Sequence, residues 1–570
     1  MNLVNRFFLW IVLLPTHLYE KMGINTTQLR AVLNTKLMMD DRRPNTFHQT
    51  QQKKNKKPVS FATLGTMLVK GFMGCFFLAS FFVGKDMVTH LTIYFSFFLF
   101  VLASTLIADF TSVLIDIRDN VIIIPKPISD KTFVLARLLH VLIHISKLVI
   151  PMVLPTLIYL GIKQSVLVLI PFGFIIALAT LFTIFLINAL YILILKLTTP
   201  ERFKTIISYF QIFFAIAFYG GYQIVPKLIN KVAMEQYDIN TNIWIWLAPP
   251  YWFAGAWQFL TSFEFTIPLV SSFILSLVVP IASIWVVIKY FAPSFNQKLS
   301  MISGSESGPA PKVQEAGKKT STNSSYLTFL SKLFAEKGAE TMSFQHVWKI
   351  TARSRDYKMK VYPSLGYLVV YLVMMFLNNR NFSLADVQNQ NGTGKIVFIS
   401  LIYFSSLIMI MSVNQLLYSE KYKAAWFFFT TPIEKPGRII SGALKSMIAK
   451  FFFPLVTVTF VAAVVIVGPK IIPNLLLGIF NEFLIIFTIA YISFRQFPFA
   501  QPQNSAAKSN FIRGLVSMII PATIGGLHYL IYNMMPVVII LAVLSGIAAW
   551  MIMDGIKNRT WEILKLEYKD

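Results

Sequence analysis

Apolar runs of about twenty residues recur from one end of this 570-residue sequence to the other, each long enough to cross ~30 Å of hydrocarbon. In lipid every backbone polar group must be satisfied internally, so such runs form helices or close into a barrel. Barrel strands are shorter and alternate in polarity, so unbroken runs carry the helix signal. The chain is 13% charged, about half the usual ~25%, which is too little polar surface to keep a soluble chain of this length dispersed. Composition therefore excludes a soluble enzyme and a disordered chain. The single Cys75 excludes a disulfide-stapled secreted domain.

The pattern predicts an all-α polytopic membrane protein of about twelve transmembrane helices. Six lie at roughly 61–83, 91–108, 139–160, 166–195, 206–226 and 265–288. Six more lie at 362–378, 396–417, 443–467, 471–492, 512–532 and 536–553. The organisation that follows is an interfacial N-terminal segment (1–60), a first half (61–291), a flexible cytoplasmic linker (292–340), an amphipathic helix (341–361), a second half (362–556) and a tail (557–570). The opening "MNLVNRFFLWIVLLP" has a short apolar core but no small-x-small cleavage site, so it reads as retained and interfacial.

Net charge is +26, and its distribution says what it is for. With both termini in the cytoplasm, 41 Lys and Arg fall on the cytoplasmic side, counting Lys445 and Arg513 at the cytoplasmic ends of their spans, 7 on the opposite side and 3 (Lys70, Lys147, Lys450) deeper within spans. That is a positive-inside pattern. The partner it implies is the anionic cytoplasmic leaflet, at roughly 1 kcal/mol per nearby base, and nucleic acid is not needed to explain it. The chain is expected to cross its membrane many times, with both termini on the cytoplasmic side.

The halves repeat each other. "KPISDKTFVLARLL" at 126–139 lies opposite "TPIEKPGRIISGAL" at 431–444, and Gly220-Gly221 matches Gly525-Gly526 at the same offset of 305. "IYFSFF" at 93–98 matches "IYFSSL" at 402–407. Six spans per half put the two repeats in parallel orientation. Each half opens on a basic amphipathic segment: Leu29, Val32, Leu33 and Leu37 in the first, and Phe344, Val347, Trp348 and Thr351 in the second. Such helices lie in the headgroup plane. The external segment 227–264 carries Trp244, Trp246, Trp252 and Trp257 and is broken by Pro249-Pro250, which predicts a re-entrant or interfacial hairpin. Its counterpart in the second half is almost absent.

No nucleotide site is encoded. The nearest approach to a phosphate-cradling loop, Gly394-Lys395, has Asn389 where the first Gly belongs and Ile396 where the hydroxyl belongs. No cofactor and no metal site is expected in this chain. Intramembrane polar groups are functional candidates, and here they are Asp109, Lys450, Glu482 and His528. Glu482 could bind a cation or a substrate amine, or could pair with Lys450 as a structural tie. Asp109 lies near the cytoplasmic end of its span, and His528 is expected to be hydrogen-bonded within the bundle. His140 and His144 share a helix face but have no evident third ligand. Pro151 and Pro155 predict a kink.

These features resemble the permease subunits of type-2 ATP-binding-cassette exporters: six spans after an amphipathic helix, a Pro-Ile loop between the second and third spans, and a re-entrant element before the sixth. "KPISDKTF" fits the family's stretch leading into a coupling helix, and "TPIEKPGR" fits with Glu434 in place of Ser. The resemblance implies that Pro127, Ile128, Ser129 and Asp130, and Pro432, Ile433, Glu434 and Lys435, dock on a separate cytoplasmic ATPase dimer. That partner would bind ATP and Mg, so this chain is not itself an enzyme. Together with "TPERFKTIISYFQI" at 199–212, the pattern is similar to a bacterial subfamily with two such halves fused, which implies a bacterial cytoplasmic (inner) membrane. The fused length and the missing second hairpin depart from the usual permease.

An ion-coupled secondary transporter of the major facilitator type is the alternative six-plus-six architecture. Its loop motif is missing, since the stretch reads "DIRDNVIIIPKPISDK". A membrane-embedded enzyme would need clustered carboxylates, histidines or a nucleophile near one face, and the sequence shows no such cluster.

Overall fold

The computed structural model describes residues 3–42, 62–113, 128–198, 200–231, 243–286, 322–378, 388, 392–419, 421–494, 496–502 and 510–562. Apart from one isolated bridge between Tyr418 and Gln501, the regular structure in them is helical. The chain forms two compact units. One comprises Met1–His48, Lys54–Phe218 and Val225–Lys312, and the other Gln49–Lys53, Tyr219–Ile224 and Val313–Asp570.

In chain order the helices up to residue 286 are α1 (Leu3–Val12), α2 (Thr16–Lys21), α3 (Thr26–Arg42), α4 (Ala62–Phe77), α5 (Met87–Val113), α6 (Asp130–Lys163), α7 (Leu169–Leu197), α8 (Pro200–Lys231), α9 (Pro249–Ser262) and α10 (Ile267–Val286). Those after it are α11 (Thr322–Phe334), α12 (Ala339–Arg353), α13 (Arg355–Asn378), α14 (Gly392–Gln415), α15 (Gly437–Met447), α16 (Phe453–Val467), α17 (Ile472–Ser493), α18 (Asn510–Ile531) and α19 (Met535–Lys557). A five-residue π-helix, Ile448–Phe452, joins α15 to α16.

Among the described residues eight helices are long and apolar enough to cross a membrane, or nine if α9 and α10 are one broken span. This is a membrane-spanning, all-helical protein. The sequence led to an expectation of twelve spans, and helices do occupy all twelve places. Three of them fall short by length and polarity. In α8 and α18 the apolar stretches are only Thr205–Gly221 and Ile519–Ile531, and α13 opens on the charged "RDYKMK".

The core of the first unit is built around α9. Tyr251, Phe253, Ala254, Ala256 and Trp257 are essentially inaccessible, and α9 packs against α5, α7 and α10. It bends from α10 by 114°. Trp252 Nε1 donates to the Trp246 carbonyl at 2.7 Å, and Trp257 Nε1 to that of Val168 at 3.3 Å. The expected hairpin thus exists as a bent helix pair, but most of its aromatic residues face the interior. Among the described ones Trp244 and Phe263 are well exposed.

Leu29, Leu33 and Leu37 of α3 are also fully buried, against Phe8, Leu9 and Val12 of α1 and Ala136, Leu139 and Ile143 of α6. The stripe read as lying on headgroups is covered by protein. It is α1 that presents an exposed apolar face, Leu3, Phe7 and Trp10. His140 Nε2 meets Asp40 Oδ2 at 2.6 Å, tying α6 to α3. Among the described residues no group of three His, Cys, Asp or Glu could hold a metal.

Helix α6 runs unbroken through Pro151 and Pro155. Pro155 has no N–H to offer the Pro151 carbonyl, and α4 packs along this stretch. A Cβ on Gly74 would sit 2.2 Å from the Met152 carbonyl oxygen, so only glycine lets the two backbones meet this closely. The stretch read as linker ends sooner than expected. Residues from Thr322 onward are helical, and Leu327 is buried with Phe344 and Ala449.

Candidate functional site

Two arrangements in the second unit stand out, one around the turn 431–436 and one inside the bundle. The turn leads directly into α15, whose Ile439, Ile440, Ala443, Leu444 and Met447 are completely buried. Helix α12 lies across α15 with Phe344, Val347 and Thr351 facing inward. The approach is closest at Gly442, where a Cβ would meet the Glu340 carbonyl oxygen at 2.3 Å. The Glu340 side chain is fully buried there. Lys445 Nζ sits 2.5 Å from its Oε1, and Ser441 Oγ donates to the same oxygen at 2.8 Å. A buried carboxylate survives only when paired and hydrogen-bonded, and this one is.

The end of α19 holds the turn from another side. Trp561 Nε1 donates to the Ile433 carbonyl at 2.8 Å, Lys435 Nζ to Asn558 Oδ1 at 3.1 Å, and the Gly437 amide to the Arg559 carbonyl at 3.3 Å. The Arg559 guanidinium lies 4.3 Å from the Tyr491 ring centroid and donates to the carbonyls of Tyr491 and Phe494. Lys557 pairs with Glu336. The backbone of the turn is thereby fixed while Pro432, Glu434 and Lys435 stay exposed and Ile433 is half-buried.

In the first unit, Ser129 is exposed and accepts from the Thr132 amide at 3.4 Å, capping α6 as its sequence position implied. Ile128 is half-buried against the α1–α3–α6 cluster. Pro127 and the side chain of Asp130 lie outside the described residues, as does that of Asp109, although Asp109 and Asp130 are both within helices.

His346 on α12 packs edge-on against Phe427 and Phe428. Burial, and then the charge of Lys349, hold its imidazole below the usual histidine range. A histidine held neutral in the fold binds its proton more readily when unfolded, so it favours folding above the ordinary value near ~6.5 and less so below it. Acidification through that range should therefore lower the unfolding temperature, and His346→Phe should flatten the pH dependence in thermal scans.

The second arrangement lies where α14, α17 and α18 pack together. His528 Nε2 is 3.1 Å from Asn474 Oδ1, and Nδ1 is 3.0 Å from the Tyr403 hydroxyl. Asn474 Nδ2 donates to the Tyr532 carbonyl at 3.4 Å, and Asn481 Nδ2 to the Tyr403 hydroxyl at 2.9 Å. The donors and acceptors close only for a neutral ring: Nε2–H donates to Asn474, and Nδ1 accepts from Tyr403. His528 is hydrogen-bonded within the bundle, as expected. Glu482, 1% exposed, contacts Ser405 Oγ.

The tie between Glu482 and Lys450 does not form. Lys450 instead donates to Thr351 Oγ1 at 2.9 Å and lies 5.6 Å from the ring centroids of Trp348 and Phe451. It sits within the π-helical turn, whose extra residue per turn rotates every following side chain away from its α-helical direction. Sequence reasoning missed Tyr403, Asn474, Asn481, Glu340, Lys445 and Arg559. For Tyr403 a signal existed, since it is the tyrosine of the repeated "IYFS" stretch. Compared with known protein families, characterised proteins and solved structures, the chain matches none.

Proposed function

We infer that this chain is the membrane permease of an ATP-driven exporter, with hydrolysis supplied by a separate cytoplasmic ATPase dimer that binds ATP and Mg. The observation that carries this reading is the turn 431–436. Closure of an ATPase can move a bundle only through a contact that is exposed to the partner and stiffly joined to the helices. Pro432, Glu434 and Lys435 are exposed, while the backbone behind them is bonded to Trp561 and Arg559, the Lys435 side chain reaches Asn558, and the turn runs without a break into α15. Ser129 at the start of α6 offers a similar exposed helix start in the first unit. The reading includes twelve spans in two parallel repeats, both termini in the cytoplasm, and a bacterial inner membrane. Helices at all twelve places and the burial of both repeat tyrosines, Tyr94 and Tyr403, support the duplication.

Solubilised from its own membrane in mild detergent, the tagged chain should co-elute with a spanless subunit, and the pair should hydrolyse ATP. Hydrolysis by the chain stripped of that subunit would overturn the reading.

One observation favours a second reading, an ion-coupled transporter. Glu482 and His528 lie buried among α14, α17 and α18, where transporters place coupling groups. Substrate accumulation in vesicles driven by a proton gradient without ATP would decide for it.

A further inference from the structure

Ser405 has one hydroxyl proton and two acceptors to give it to. Its Oγ lies 2.8 Å from the Ile402 carbonyl oxygen and also within hydrogen-bond distance of Glu482 Oε1. A single O–H serves both at most as a weakened three-centre bond. The count closes if the carboxyl brings its own proton: Glu482 O–H donates to Ser405 Oγ, and Ser405 O–H donates to the Ile402 carbonyl. We propose that Glu482 is a proton-binding site of the second-unit bundle, occupied in the structure seen here, with Ser405 as the hydroxyl that switches when the proton leaves.

Among the described residues, none supplies a counter-ion to a charged carboxylate at Glu482. The elements packed against α17 are α14, α16, α18, α19 and the turn Pro469–Ile471. Their titratable groups are Lys395 and Tyr403 on α14, Arg513, His528 and Tyr529 on α18, Asp554 and Lys557 on α19, and Lys470, with Tyr491 on α17 itself. Lys395 lies against the Tyr532 ring, Lys557 pairs with Glu336, Asp554 bonds Asn558, and Tyr403 and His528 bond one another. The side chain of Arg513 is outside the described residues. Lys450, on the π-helical turn, is held by Thr351. An unpaired charge buried this way is costly, and a neutral acid is not.

The ligand is a proton rather than a metal ion or an amine because the contact between α14 and α17 has no room for more. Ser405 is 5% exposed and Ser406 is fully buried. One turn away, a methyl group added at Gly478 would sit 2.9 Å from Ile402. Loss of the proton to bulk water leaves a carboxylate, and the Ser405 hydroxyl then turns from the Ile402 carbonyl to Glu482, so proton release alters the α14–α17 contact directly. The inference holds whether or not an ATPase drives the protein.

Infrared difference spectra, wild type minus variant, of the full chain in an ester-free detergent test it. At neutral pH exposed carboxylates are ionised, so a protonated-acid carbonyl band should stand out in the wild type and be lost in Glu482→Gln. In Ser405→Ala the band should persist but shift, because the acid has lost its acceptor. A wild-type spectrum identical to Glu482→Gln in this region would overturn the proposal. If Glu482→Gln does not fold, an unshifted band in Ser405→Ala, or none in the wild type, would do the same.

Discussion

Replacing Lys445 with alanine should be among the most damaging single changes in the second unit. Glu340 is fully buried, and Lys445 is its only ion-pair partner among the described residues. Removing one member of a buried pair leaves an uncompensated charge, at a cost of about 3–5 kcal/mol. Ser441 still donates to Glu340 in the variant, which places the loss near the lower end. Because α12 covers the start of α15, the same change should loosen the turn 431–436. Thermal unfolding in detergent measures the first effect, and protease sensitivity near Lys435 reports the second. The double variant Glu340→Gln, Lys445→Met removes both charges and should recover most of the stability. If Lys445→Ala unfolds like the wild type, the ion pair is not what holds α12.

In the first unit the largest effect is expected at Gly74. A Cβ there meets backbone on three atoms of Met152, the nearest at 2.2 Å, and backbone cannot rotate out of the way as a side chain can. Overpacking of this kind costs about 1–3 kcal/mol or more. Gly74→Leu should therefore push α4 off α6 and lower expression and thermal stability sharply. Gly173→Ala is the matched control. It lies in α7, nothing falls within 4 Å of its added Cβ, and helix propensity alone favours alanine by about 1 kcal/mol. Equal losses at both positions would show that these glycines matter for something other than the α4–α6 approach.

Where the sequence was legible, the reason is that lipid imposes a length. A helix that must satisfy its own backbone across the bilayer announces itself as a long apolar run; helices stand at all twelve such places, and among the described residues eight or nine are long and apolar enough to cross. The same rule says nothing about which side chains meet. Glu340 and Lys445 are far apart in the chain, and no periodicity links them. The chain from Asn474 through His528 and Tyr403 to Asn481 draws on three helices and becomes visible only once they pack. The Glu482–Lys450 tie failed for a local reason, the π-helical turn at Ile448–Phe452, which shifts the register that an α-helical reading assumes. The amphipathic stripes were found correctly as stripes. What covers them could not be read, because a leucine face fits protein and headgroup alike.

The claim that this chain is an exporter permease stands most directly on the exposed Ser129 that caps α6 and on the exposed Pro432, Glu434 and Lys435 in the turn ahead of α15. Asp130→Lys with Glu434→Lys reverses a charge at each. The decisive measurement is the amount of ATPase retained per chain by the purified double variant, taken together with its thermal stability. The account predicts wild-type stability with loss of the retained ATPase and of the hydrolysis it brings. Full retention of the ATPase and undiminished hydrolysis in a stable double variant would contradict it.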